Sequence, residues 1–257
     1  MTLLRRVDEG PVARLVLDRP DQRNALSLGL LDELVAALAS VAEDRSAHVV
    51  VLAGAGVAFS AGHDLREIVE HPDEAYRLAL FDRCAEAMVA IDELPQPVIA
   101  EVHGVATAAG CQLVAACDLA VAGASARFAT PGVDIGLFCS TPAVALTRAV
   151  AAKHAAELLY TGSLIGAADA LRIGLVNRVV PDDALADAVA ELAGQVAAKP
   201  REVVALGKAA LRAQRGLPLR EAYEVASAAM VENLGRPEAA EGIGAFLDKR
   251  PPSLRST

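Results

Sequence analysis

No C-x-x-C pair occurs among the four cysteines Cys84, Cys111, Cys117 and Cys139, so nothing suggests a thiolate metal site or a dithiol redox motif. All four lie in apolar surroundings and read as reduced core thiols. No apolar run approaches the ~20 residues that cross a bilayer. The opening MTLLRRVDEG carries two arginines but lacks the apolar stretch of a secretory signal. These absences predict a soluble, untargeted, cytoplasmic protein with no membrane partner. Positive charge is also short: 24 Lys and Arg face 33 Asp and Glu, for a net charge of −9. A nucleic-acid backbone would meet net repulsion, and an anionic small ligand would need local cations. Low-complexity segments, charge blocks and internal repeats are missing too.

What is present is enough chain for one large domain: 257 residues, 54% of them hydrophobic, can fill a sizeable core. RRVDEGPVARLVLDRP reads as two short strands around Glu9-Gly10-Pro11. Ser27 then stands as an N-cap for a helix whose Leu31, Leu34, Val35, Leu38 and Val41 recur at helical spacing. HVVVLAG follows as a continuous β-branched run, the pattern of a strand buried on both faces. Strand and helix go on alternating: a helix from about Asp73 to Leu94, the strand PVIAEVHG, a helix from about Thr107 to Ala116, the strand DLAVAG, and a last pair in GAADALRIGLVNRVV. That order predicts an α/β fold with largely parallel sheets over residues 1–199. Beyond Pro200 three helical segments follow, punctuated at Gly216-Leu217-Pro218 and Gly235-Arg236-Pro237, and form a C-terminal helical region over 200–257.

The segment GAGVAFSAGHDLREI raises the question of a ligand. Gly54-Ala55-Gly56 begins a dinucleotide fingerprint, but Phe59 stands where its last glycine belongs. No Gly-Lys-Ser/Thr follows for a phosphate loop, and no G-x-S-x-G elbow exists for a hydrolase. Small residues at Ser60, Ala61 and Gly62 let a ligand approach the backbone, and a helix-start N–H at His63 could hold an oxyanion. EVHGVATAAGCQL has the same character around Ala108, Ala109 and Gly110. Two such turns can converge two N–H donors on one carbonyl oxygen. From composition alone they fit equally well as tight turns packing helix on strand.

Five stretches resemble a known family in order and spacing. RLVLDRPDQRNAL, GAGVAFSAGHDLREI, HGVATAAGCQLVAACDLAVAG, FATPGVDIGLF and GLVNRVVP are similar to the crotonase, or enoyl-CoA hydratase/isomerase, superfamily. SAGHDL, HGVATAAGCQL and FATPGVDIGLFCSTPAVALTRAV resemble most its enoyl-CoA hydratase domain-containing protein 3 branch. The resemblance implies a spiral of ββα units and a C-terminal helical region that makes a homotrimer, often a dimer of trimers. It also implies a coenzyme A thioester as substrate, no tightly bound cofactor or metal, and lyase or isomerase chemistry in fatty acid metabolism. Carried over by position, the oxyanion hole falls on the backbone N–H groups of His63 and Ala109. Coenzyme A contacts fall on Arg23, on the backbone at Ala61, His63, Asp64 and Leu65, on Arg66, and on Phe246 and Lys249 from a neighbouring subunit.

The resemblance breaks at the chemistry. Hydratases of the family work with two glutamates, and their positions here hold Gln112 and Gly132. Neither can exchange a proton at ordinary pH. Asp134, two residues further on, is a substitute base, and the His63 imidazole is a substitute proton shuttle. Some naphthoate synthases of the superfamily also have glycine at the Gly132 position and borrow bicarbonate as base, but their other active-site side chains are absent here. The expectation is therefore an acyl-CoA enzyme whose hydratase activity is weak or redirected. A non-catalytic acyl-CoA binding protein and a thioester hydrolase are the rival readings.

Overall fold

The computed structural model describes residues 2–253. Nine strands run β1 Leu4–Glu9, β2 Val12–Leu17, β3 Val49–Gly54, β4 Val98–Val102, β5 Val105–Thr107, β6 Leu119–Gly123, β7 Arg127–Ala129, β8 Ile165–Gly166 and β9 Arg178–Val180. The helices are α1 Leu28–Glu43, α2 Leu65–Glu70, α3 Glu74–Glu93, α4 Ala109–Ala116, α5 Ser140–Ala149, α6 Ala152–Thr161, α7 Ala167–Ile173, α8 Leu185–Ala197, α9 Arg201–Gln214, α10 Leu219–Leu234 and α11 Pro237–Leu247.

A six-stranded sheet takes the order β1-β2-β3-β4-β6-β9, and a three-stranded sheet takes β5-β7-β8. Only the β1–β2 and β7–β8 pairs are antiparallel. The rest are parallel, as strand-helix alternation predicts. Val49, Val50, Val51 and Leu52 are all buried because helices cover both faces of the sheet at β3: α1 lies on one side with Leu30, Leu31, Leu34 and Leu38, and α8 on the other with Val189 and Leu192. Ser27 caps α1, its Oγ accepting the Leu30 N–H at 3.2 Å, a contact worth about 1 kcal/mol. Asp73 caps α3 likewise, accepting from Tyr76 at 2.7 Å.

One detail differs from the sequence reading. The helix expected from Thr107 starts at Ala109, because Val105–Thr107 pairs with β7 as a short strand first. The stretch before Phe138, to which no element was assigned, holds the strand β7 and a 3-10 turn, Pro131–Ile135. The C-terminal region is helical as expected. It supplies only Ala245 to the buried set, so the core lies in the preceding residues.

Candidate active site

The two small-residue turns meet through backbone hydrogen bonds. The Ser60 N–H donates to Val105 O at 3.2 Å, and the Thr107 N–H returns to Ser60 O at 3.0 Å. The Thr107 hydroxyl adds a bond to Ala61 O at 3.2 Å. Gly110 must be glycine here, since a Cβ on it would lie 2.2 Å from Ser60 O. Gly62 carries φ +89, and a Cβ there would lie 2.8 Å from the Ala108 Cβ and 3.1 Å from the Ala109 nitrogen. The residue before His63 therefore abuts the N–H of Ala109. Neither the His63 nor the Ala109 N–H has a backbone acceptor among the described residues.

A third segment buttresses this junction. Arg23 and Asn24 take left-handed backbone, φ 50 and 53, and the Arg23 carbonyl accepts the Ala61 N–H at 2.9 Å. Asn24 is fully buried. Its Oδ1 accepts the Arg19 N–H at 2.9 Å, and its Nδ2 donates to Ala55 O and Ala58 O at 2.8 and 2.7 Å. The Ser60 hydroxyl donates to Asn24 O at 2.9 Å. Sequence reasoning passed over Asn24 and took Ser60 only as a small residue, not as a hydroxyl bonded to Asn24. The available signal was an Asn-Ala step after a proline turn, where Asn tolerates αL backbone.

Arg23, Ala61, His63, Asp64, Leu65 and Arg66 are thus on one rim. Asp64 is committed elsewhere by its side chain, pairing with Arg19 at 3.0 Å and capping α2 through Arg66 N–H. Arg23 and Arg66 are exposed and make no salt bridge. The His63 imidazole lies edge-on to Phe81 of α3, ring centroids 5.1 Å apart, with both ring nitrogens buried and unpartnered. Burial pushes its pKa down, opposed by the nearby Leu26 backbone and then by the Glu67 carboxylate. His103, at the end of β4, sits 2.9 Å by Nε2 from Gly56 O and ties the glycine loop to the sheet.

Gln112, one turn into α4, is 3% exposed. Its Oε1 lies 3.9 Å from Cys84 Sγ. It also lines a cavity of about 780 Å³ between α3, α4, α5 and α9, with Met88, Val89, Val144 and Leu211 on the walls. His63 and Ala109 do not reach that cavity. Gly132 is buried, and a Cβ on it would lie 2.7 Å from Leu137 O and 2.9 Å from Cys139 Sγ. Asp134 is exposed and its Oδ2 lies 3.1 Å from where a Gly162 Cβ would be, so it faces the end of α6. Phe246 and Lys249 lie exposed at the chain's far end, and α11 packs chiefly on α10. Within one chain they do not join the rim. No group of three or more His, Cys, Asp or Glu able to hold a metal occurs among the described residues.

Comparison with known proteins identifies the family. A family model described as Enoyl-CoA hydratase/isomerase matches residues 8–257. Enoyl-CoA hydratase domain-containing protein 3, mitochondrial, of Xenopus laevis is 46% identical over 95% of this chain and 83% of its own length. The crystal structure of enoyl-CoA hydratase from Mycobacterium smegmatis superposes with TM-score 0.97 at 50% identity, covering 99% of both chains. That of human enoyl-CoA hydratase domain-containing protein 3 gives TM-score 0.95 at 44% identity, over 98% of this chain and 99% of that one. The crotonase-like spiral is therefore the fold, and the branch resemblance holds. One expectation is overturned: the Xenopus relative and its mouse and human counterparts are named mitochondrial, against a cytoplasmic reading. That reading rested on the lack of an apolar leader, and mitochondrial transit segments are amphipathic and arginine-rich instead. The chain belongs to the enoyl-CoA hydratase/isomerase family, in the company of the domain-containing protein 3 branch.

Proposed function

We propose that this chain is an acyl-coenzyme A enzyme that polarises the thioester carbonyl between the N–H groups of His63 and Ala109. The observation that supports the reading is the close approach of the two turns: a Cβ on Gly62, the residue before His63, would lie 3.1 Å from the Ala109 nitrogen, and neither N–H has a backbone acceptor among the described residues. A carbonyl oxygen seated there gains charge as an enolate forms. Each donor aimed at that charge contributes ~3 kcal/mol to the transition state. Arg23 and Arg66 at the rim, with Lys249 and Phe246 of a neighbouring subunit, would answer the phosphates and adenine of coenzyme A.

Classical hydration needs a group to take a proton from water and another to deliver one to the α-carbon. Gln112 can orient water or a thioester oxygen with its amide but cannot accept a proton, and Gly132 offers no side chain. Each lost acid or base removes roughly two to four decades of rate. Asp134 turned toward α6 gives no support for a replacement base. The reading is thus enolate-forming acyl-CoA chemistry with weak or redirected hydration.

Titration calorimetry with butyryl-CoA and crotonyl-CoA tests it. Saturable heat at about a tenth of a millimolar protein is expected, the regime of weak metabolite binding. Absence of heat with both thioesters contradicts the reading.

A further inference from the structure

We propose that the Cys139 thiol is a catalytic residue, the proton carrier at the substrate α-carbon, standing where a side chain at position 132 would otherwise project. This rests on the acyl-CoA reading above. The starting observation is steric. A Cβ on Gly132 would lie 2.9 Å from Cys139 Sγ, so the sulfur already fills the first part of that side chain's path. Gly132 does not have the positive φ that would demand glycine. Its small size is required by the sulfur and by Leu137 O, which a Cβ would approach to 2.7 Å. The loop Leu137–Cys139 is therefore folded onto Gly132, with the Leu137 N–H donating to Gly132 O at 2.9 Å.

The segment under the thiol is tied to the oxyanion turn. The Ala108 N–H donates to Ala129 O at 2.9 Å, so the strand leading into Thr130-Pro131-Gly132 is bonded directly before the Ala109 donor. One further group on that segment awaits a partner: Thr130, fully buried two residues before Gly132, has an Oγ1 with no hydrogen bond. Unsatisfied buried polar groups are costly, and a bound polar ligand removes the cost. Burial pushes the Cys139 thiol up, while the Gly132 N–H directed at the sulfur partly offsets it. The resting form is the thiol, the state that can give a proton.

The step balances with solvent as the only co-reactant. Hydroxide first takes the thiol proton, breaking S–H and forming water; the thiolate sulfur then takes an α-proton: the C–H bond breaks, an S–H bond forms, and the electron pair moves into the thioester as an enolate whose oxygen would lie between the His63 and Ala109 N–H groups. The reverse transfer returns a proton to carbon and restores the thioester. Solvent exchange at sulfur in between replaces hydrogen by deuterium.

The test is deuterium wash-in at the α-carbon of butyryl-CoA in deuterium oxide, followed by mass spectrometry on protein shown by calorimetry to bind the probe. Wild type should exchange above the buffer rate, and the rate should still be rising at the alkaline end of the protein's stable range, because burial holds the thiol above its ordinary value and thiolate forms only there. Cys139→Ala and the near-isosteric Cys139→Ser should each lose roughly 100-fold or more while binding butyryl-CoA within about threefold of wild type. Exchange that persists in a folded, binding Cys139→Ser or Cys139→Ala protein overturns the assignment of the thiol. So does a wild type that binds but does not exchange. A wild type that fails to bind overturns the acyl-CoA reading itself, and the assignment falls with it.

Discussion

Residue by residue, the site is shaped more by what is missing than by what projects into it. Gly62, Gly110 and Gly132 each lie where a Cβ would strike backbone or a neighbouring side chain. Two of these absences bring the donor turns together, and the third admits Cys139. The most conspicuous side chain in the region is His63, whose buried ring has no hydrogen-bond partner. Its pKa is pushed below the ordinary 6.5 by burial. The folded protein therefore holds this imidazole neutral where the unfolded chain would already charge it. Above about pH 6.5 both states are neutral and the ring contributes no pH dependence. As pH falls below that value the unfolded state binds the extra proton first, and stability is lost until the folded pKa is reached. Urea midpoints between pH 7.5 and 5 should fall more steeply for wild type than for His63→Gln. Parallel curves would show that the buried ring does not titrate as described.

At the scale of elements, the helix α4 carries the consequence of one unusual residue. Ala108 takes φ 50 and ψ −119 immediately before the Ala109 donor, a conformation that suits glycine. Ala108→Gly should raise the unfolding free energy by up to ~1 kcal/mol, read as a higher Tm. A lowered Tm would mean that the Ala108 methyl, packed beside Gly62, matters more than its backbone strain. The same residue shows where sequence reading ends. Long apolar runs such as Val49–Leu52 declare a strand buried on both faces, and Ser27 followed by leucines at helical spacing declares a capped helix. An alanine at positive φ declares nothing, because its conformation is imposed by the strand pairing before it. Strands of two or three residues, β5, β7 and β8, are too short to show a period. The assignment of Gln112 and Gly132 to the glutamate positions rests on motif register alone. The filling of the Gly132 space by Cys139 was not legible in the sequence, because the five-residue 3-10 turn that folds the chain back here has no periodic signature.

For the whole molecule, the C-terminal helices are the unfinished part. Neither α9 nor α10 has a buried residue, and Leu219, Tyr223, Met230, Val231, Leu234, Ile243, Phe246 and Leu247 stand exposed. Apolar surface on that scale favours association by about 25 cal/mol per Å² covered. With Lys249 and Phe246 absent from their own chain's rim, a trimer or a multiple of one is proposed to complete the site. Sedimentation equilibrium should find no stable monomer at micromolar concentration, and a monomer retaining full butyryl-CoA affinity would contradict the shared site. Everything else depends on the carbonyl oxygen lying between the two donors, and isotope-edited infrared spectroscopy of butyryl-CoA labelled with ¹³C at the carbonyl reads that directly. On wild type the bound carbonyl stretch should move to lower frequency than in free butyryl-CoA. Gly62→Ala, whose added methyl would press on the Ala109 nitrogen, should abolish the shift in whatever ligand it still binds. A carbonyl band at its solution frequency on a saturated wild-type protein would contradict the oxyanion hole at His63 and Ala109.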